Sequence, residues 1–260
     1  MSYNVLNASV GVAWLKEAWS IFKRQPFTFI MMHVFIIVVG LLPMLAPVLN
    51  IAASLVAPFL TIGFYQAILK VQANNKTQLS DITAPLFAKG QRRAVFHLAM
   101  CQVVVALLIS LLAQFLFSDM IEVLVNAEEN MNVTTLINDL IGNFNPANFL
   151  MFMAVMIINY AAFAFALPLV FFKKTPLVAA IQQSLKVFFG NMGALSVFGG
   201  LVALLMVISI PLQLLPLLVI MPISYIGFFL AFKSIFSYSE NTPTKTAQTA
   251  PTPDNGRFDA

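Results

Sequence analysis

Two stretches of this chain run for 45 and 46 residues without an Asp, Glu, Lys or Arg: residues 25–69, between Arg24 and Lys70, and residues 187–232, between Lys186 and Lys233. In a water-soluble domain about a quarter of the residues are charged, so runs of this length have no aqueous surface to belong to. One membrane span takes roughly 20 apolar residues. Each long run is therefore read as a hairpin of two spans. The first turns near Pro43 and Pro47 and the second near Pro211 and Pro216, because proline is tolerated where a helix starts or ends. Two shorter uncharged runs, 25 residues after Arg93 and 33 after Asp139, accommodate one span each. The expected spans are residues 27–45, 49–69, 94–117, 148–171, 191–210 and 214–235. Composition agrees, with 60% hydrophobic residues, 9% charged and a mean hydropathy of +0.89. A β-barrel would need short alternating strands, whereas these runs are continuously apolar. The expected fold class is an all-α integral membrane protein with six transmembrane helices.

With six spans, both termini lie on one side. All fourteen Lys and Arg fall there: Lys16, Lys23, Arg24, Lys70, Lys76, Lys89, Arg92, Arg93, Lys173, Lys174, Lys186, Lys233, Lys245 and Arg257. The positive-inside rule makes that side cytoplasmic, which predicts a multi-pass membrane protein with cytoplasmic N- and C-termini. Five of the ten acids, Asp119, Glu122, Glu128, Glu129 and Asp139, crowd into the one sizeable loop of the opposite side. In that loop Ile121, Leu124 and Val125, then Leu136, Ile137, Leu140 and Ile141, predict two short amphipathic helices. An acidic lid, a docking surface and a simple connector all fit it. The net charge of +4 is scattered over short loops, so it suits a membrane face and speaks against nucleic acid as a partner. A charged amphipathic segment precedes the first apolar run and no small-residue cleavage site follows it, so the first span is expected to be retained. Residues 1–237 are read as the transmembrane domain. The Thr- and Pro-rich residues 238–260 are read as a disordered cytoplasmic tail.

The chain also repeats itself. GVAWLKEAWSIFKRQP, before the first span, sets Trp14, Ala18 and Ile21 at helical spacing and predicts an interfacial helix on the cytoplasmic leaflet. TPLVAAIQQSLKVFFGN, before the fifth span, does the same with Ala180, Ser184, Val187 and Phe188, with Thr175 as cap and Pro176 in the first turn. Pro58, Ile62, Gly63 and Phe64 match Pro222, Ile226, Gly227 and Phe228 at a constant offset of 164. A weaker segment, LSDITAPLFAKGQRR, precedes the third span. The pattern predicts three hairpin-like units, each led by a cytoplasmic amphipathic segment. Small residues four apart, Ala53 with Ala57, Ala162 with Ala166 and Gly199 with Ala203, are the expected helix contacts.

Reactive groups are scarce. Polar groups inside spans are costly and functional by default, yet no Asp, Glu, Lys or Arg lies within the expected spans. The carboxylates of a proton-coupled carrier are therefore missing. His33, about 9 Å along the first span from Phe27 at ~1.5 Å per residue, and Asn159, midway along the fourth, are candidates for one polar pocket. The commoner use of such groups is an interhelical hydrogen bond. His97 and Cys101 share a face of the third span, with Gln102 beside them. Zinc takes three or four protein ligands and His33 is the only other histidine, so no metal site is expected. The lone Cys101 forms no intrachain disulfide, and an apolar wall leaves it inert. Neither a P-loop nor an HExxH or GxSxG element occurs. Asn132-Val-Thr matches a glycosylation sequon. No catalytic residue and no cofactor is expected, and the candidates for substrate binding are His33, Asn159 and Gln102.

GVAWLKEAWSIFKRQP, PFLTIGFYQAILK and PLVFFKKTPLVAAIQQSLKVFFGN together resemble an uncharacterised family of six-helix bacterial inner-membrane proteins, up to residue 237. That family is distantly similar to the membrane domain attached to some glycerophosphodiester phosphodiesterases, without their catalytic domain. Its motif positions, Pro26, Gly63, Pro168 and Pro176, read as structural punctuation, and the resemblance implies no active-site residue. The expected function is non-enzymatic: a scaffold or accessory protein acting on membrane lipids or other membrane proteins through its amphipathic helices. The alternative is a transporter of a small solute or a lipid.

Overall fold

A computed structural model describes residues 3–46, 48–88, 90, 92–127 and 132–238. Among them six helices are long and apolar enough to cross a membrane: Pro26–Met44, Leu49–Gln72, Arg92–Leu116, Pro146–Phe172, Met192–Leu212 and Leu217–Ile235. Every end lies within three residues of its expected position. Leu107, Leu108, Leu111 and Phe115 of the third span all stand exposed. An apolar surface of that kind belongs against lipid.

The elements run α1 (Val10–Phe22), α2 (Pro26–Leu41), α3 (Leu49–Gln72), α4 (Ala84–Phe87), α5 (Arg92–Leu116), α6 (Ser118–Val125) and α7 (Val133–Gly142). They continue with α8 (Pro146–Ala164), α9 (Ala166–Phe172), α10 (Leu177–Gly190), α11 (Met192–Ser209) and α12 (Leu217–Ile235). Pro43 sits in a 3-10 turn after α2, Pro211 sits in another after α11, and Pro216 caps α12. Pro47 lies outside the described residues. The acidic loop forms the two short helices expected, α6 and α7, with Asn132 of the sequon capping α7 through the N–H of Thr134. Glu128 and Glu129 lie outside the described residues. So does the tail beyond Tyr238.

α3 and α12 form the centre, with 56% and 50% of their most apolar stretch buried against 17 to 22% in the other spans. Aromatic rings join them to α9: Tyr65 stacks on Phe229 at 4.7 Å, and Phe172 meets Phe229 at 5.3 Å. α3, α9 and α12 also end alike. The second residue after each, Asn74, Lys174 and Ser237, is left-handed, with φ of 58°, 52° and 47°. The next N–H in each case turns back to a carbonyl of the last turns: Asn75 to Lys70, Thr175 to Leu169 and Tyr238 to Lys233. This capping motif satisfies carbonyls that a helix end leaves open. Lys70 and Lys233, in the last turns of α3 and α12, sit where a cation complements the helix dipole.

The fourth span breaks at Phe165, between α8 and α9. The hydroxyl of Ser184 on α10 donates to the Ala161 carbonyl at 2.7 Å and accepts from the Phe165 N–H at 2.9 Å. A side chain inserted in the helix ladder, three residues before Pro168, accounts for the interruption.

Several details differ from the sequence reading. The apolar stripe of α1 is turned onto α11 and α12, with Trp14, Ala18, Ile21 and Phe22 buried and Trp14 Nε1 donating to Ser234 Oγ at 2.9 Å. Lys16, Trp19 and Lys23 stay on its exposed face. The segment before the third span is a 3-10 turn, Leu79–Ile82, followed by the single turn of α4, while Lys89 and Gln91 lie outside the described residues. Pro176 is itself the N-cap of α10, so that helix starts one residue later than expected. Of the small-residue pairs, Ala162 and Ala166 are buried, but Ala57, Gly199 and Ala203 are exposed. The close approaches occur elsewhere: a Cβ on Gly11 would overlap the Ala194 carbonyl, one on Gly63 the backbone of Ile82, and one on Gly227 the ring of Phe198.

Two amides tie chain segments to the bundle in the same way. Gln25, the N-cap of α2, donates to the Asn75 carbonyl and accepts from the Thr77 N–H, both at 3.1 Å. Asn191, the N-cap of α11, donates to the Asn4 carbonyl at 3.1 Å and accepts from the Leu6 N–H at 2.9 Å. Asn4 in turn bonds to the end of α12, through its N–H to Ile235 and its side chain to Ser234 and Ser237.

Candidate functional site

α10 lies between α8 and α11, packed on α8 and α9 and reaching α11. A cavity of about 560 Å³ remains, walled by α3, α8, α10, α11 and α12. Phe188, Leu195, Phe198, Val202 and Phe228 supply apolar surface, and among the described residues no charged side chain lines it. Tyr65, Tyr160 and Tyr225 converge on it from three helices. Packing holds each ring: Tyr65 by its stack on Phe229, Tyr160 edge-on to Phe188 at 5.6 Å, and Tyr225 against Phe64 at 5.3 Å. None of the three hydroxyls has a hydrogen-bond partner among the described residues. The mouth opens sideways between the fourth and fifth spans, where Tyr160 is 58% exposed and Ser196 and Gly199 are also exposed. A Cβ on Gly199 would meet nothing within 4 Å.

A second cavity of about 430 Å³ adjoins the first between α5 and α8, lined by Gln102, Ala106, Ile109, Met156, Asn159 and Phe163. Tyr160 and Ala164 line both. Two of the three residues singled out in the sequence, Gln102 and Asn159, thus share one space. His33 lines neither cavity. It is buried in α2 against Tyr225, with ring centroids 5.9 Å apart, and its Nδ1 has no partner among the described residues. Cys101 is half-buried. Among the described residues, no group of three or more His, Cys, Asp or Glu could hold a metal ion.

The arrangement is suited to holding a ligand. An apolar wall holds a hydrocarbon by dispersion and exclusion, while hydroxyls short of partners in a medium without water favour a ligand with acceptor atoms. Sequence reasoning missed the tyrosines. A weak signal was available, since Tyr225 lies eight residues from Lys233 and Tyr160 thirteen from Lys173. At ~1.5 Å per residue these are depths of about 12 and 20 Å, deeper than the interfacial belt where Tyr usually anchors a span. No family model, curated protein or solved structure matches the chain.

Proposed function

We propose that this protein is a non-enzymatic, multi-pass membrane protein that holds the ester and acyl portion of a membrane lipid in the cavity between α8 and α11. The observation that carries the reading is the lining. It is apolar and uncharged, open toward the face that lipid would occupy, and furnished with three hydroxyl groups able to meet ester carbonyls. A charged solute would find no counter-ion there.

In this reading the bundle is three units of one design, each an amphipathic segment leading a pair of spans. The matching caps after α3, α9 and α12, and the matching amide ties of Gln25 and Asn191, support it. The host membrane is a bacterial inner membrane, as the family resemblance implies, and both termini are cytoplasmic, which rests on the distribution of Lys and Arg. The resemblance to the membrane domain of glycerophosphodiester phosphodiesterases is in keeping with a lipid-handling role. A scaffold for other membrane proteins, built on the amphipathic helices, has less to draw on, because the apolar stripes of α1 and α10 are spent on the bundle.

Native mass spectrometry of the purified chain tests the reading. The wild type should retain about one lipid through detergent exchange, and Gly199→Phe, which sends a ring into open space, should lose it while keeping its thermal stability. Retention by both would remove the cavity as the site. A second reading, passage of a small polar solute, is favoured by the amides of Gln102 and Asn159 facing one cavity. Flux into liposomes that fails in Asn159→Ala or Gln102→Ala would select it.

A further inference from the structure

At the end of the bundle that carries the lysines, separate chain segments build another polar site. A cleft of about 460 Å³ is lined by Gln66 and Lys70 of α3, Asn75 and Asp81 of the loop that follows, and Lys174 after α9. Phe171 and Tyr238 form an apolar wall.

Asp81 does not oppose an anion here as its charge would suggest. Its carboxylate is occupied: Oδ1 accepts from Lys70 Nζ at 2.8 Å, and Oδ2 accepts from the Thr77 hydroxyl at 2.9 Å and the Gln78 N–H at 3.0 Å. Burial pushes its pKa up, but the hydrogen bonds from Lys70, Gln78 and Thr77, with the Lys70 charge, hold it below the ordinary value. Asp81 is a positioning residue that holds Lys70 in place. An ammonium has three N–H donors, and Lys70 commits one to Asp81. Lys174 has no acceptor among the described residues. Its left-handed backbone, fixed by the cap of α9, sets where its side chain leaves the chain.

Two ammonium groups with donors to spare, the amides of Gln66 and Asn75, and an aromatic wall match an oxyanion that takes several charge-assisted hydrogen bonds at once. Basic pockets between spans on a cytoplasmic face take lipid headgroups for this reason. We propose that the cleft between the ends of α3 and α9 is a phosphate-binding site, with Lys70 and Lys174 supplying the charge. The phosphate is carried by an anionic lipid or is free in solution. The site stands apart from the tyrosine-lined cavity, and neither reading depends on the other.

The test uses the full-length chain in detergent, with phosphatidylglycerol, phosphatidylcholine and inorganic phosphate as probes. Native mass spectrometry should show phosphatidylglycerol retained over phosphatidylcholine, or inorganic phosphate bound in their absence. Lys70→Gln and Lys174→Gln should each weaken that binding at least fivefold. Lys186→Gln, which removes the same charge from α10 outside the cleft, should leave it unchanged. Phosphatidylglycerol retained against millimolar phosphate assigns the site to a lipid headgroup, and its displacement assigns it to phosphate itself. Asp81→Asn separates the roles of the carboxylate, because loss of positioning weakens binding and loss of repulsion strengthens it. Stronger binding in Asp81→Asn would overturn the positioning role. Wild-type binding in both Lys70→Gln and Lys174→Gln, or an equal loss in Lys186→Gln, would overturn the site.

Discussion

Asn191→Ala should loosen the N-terminal segment far more than Gln25→Ala loosens the loop after α3, although each amide ties down one carbonyl and one N–H of another segment. Asn191 is 1% exposed and ties down the Asn4 carbonyl and the Leu6 N–H. Two hydrogen bonds contribute about 1 kcal/mol each net, and a buried donor left without a partner costs a further ~1 kcal/mol or more. The sum is about 3 kcal/mol, or roughly a hundredfold in the opening constant of residues 3–9. Gln25 is only partly buried and its bond to Asn75 is exposed. Water can replace what its truncation removes, so the expected loss is about 1 kcal/mol, roughly fivefold. Hydrogen exchange measured on peptides covering residues 3–9 and 75–80 reads both values. Equal effects, or no change around Leu6 in Asn191→Ala, would refute the claim that burial sets the strength of these ties.

Gly63→Ala should cost about 1–3 kcal/mol by overpacking, because the added methyl would meet the Ile82 backbone. Gly199→Ala, in open space, should be neutral or gain up to ~1 kcal/mol of helix propensity, and melting in detergent distinguishes the two. The Asp81 network lowers the carboxyl pKa, so its contribution is complete above the unfolded value of ~3.9 and is lost as pH falls through the lower folded value. Protection factors for exchange in residues 77–82, which correct for the intrinsic pH dependence of the amides, should therefore stay flat from pH 8 to 5 and fall only below about pH 4. Ser184→Ala should remove the bridge to Ala161 and Phe165 and lower the melting temperature, and a change no greater than that of an exposed control such as Ser196→Ala would count against the bridge. With Cys101→Ser as background, Glu129→Cys should react with an impermeant thiol reagent from outside the cell and not from the cytoplasm, if the orientation read from the charges is right.

The spans were legible in the sequence because their signal is local. A run free of charge has a length, and length against bilayer thickness gives the number of helices and their ends to within a turn. The two short helices of the acidic loop were legible for a similar reason, since Ile121, Leu124 and Val125 repeat at helical spacing. The stripe of α1 was legible as a stripe, but not as the face that meets α11 and α12. Lipid and a helix neighbour are equally apolar, so hydropathy does not distinguish a face turned outward from one turned in. The same ambiguity hid the real close contacts at Gly11, Gly63 and Gly227 and gave prominence to Gly199, which faces open space. Asn159 and Gln102 stood out as isolated amides, yet nothing in their spacing joined them, because 56 residues, two short helices among them, lie between. The convergence of Tyr65, Tyr160 and Tyr225, and of Lys70 with Lys174, was decided only by tertiary packing. Each set is drawn from separate helices or their ends, and the rotation of those helices about their own axes is chosen by the fit of side chains, which leaves no period in the sequence.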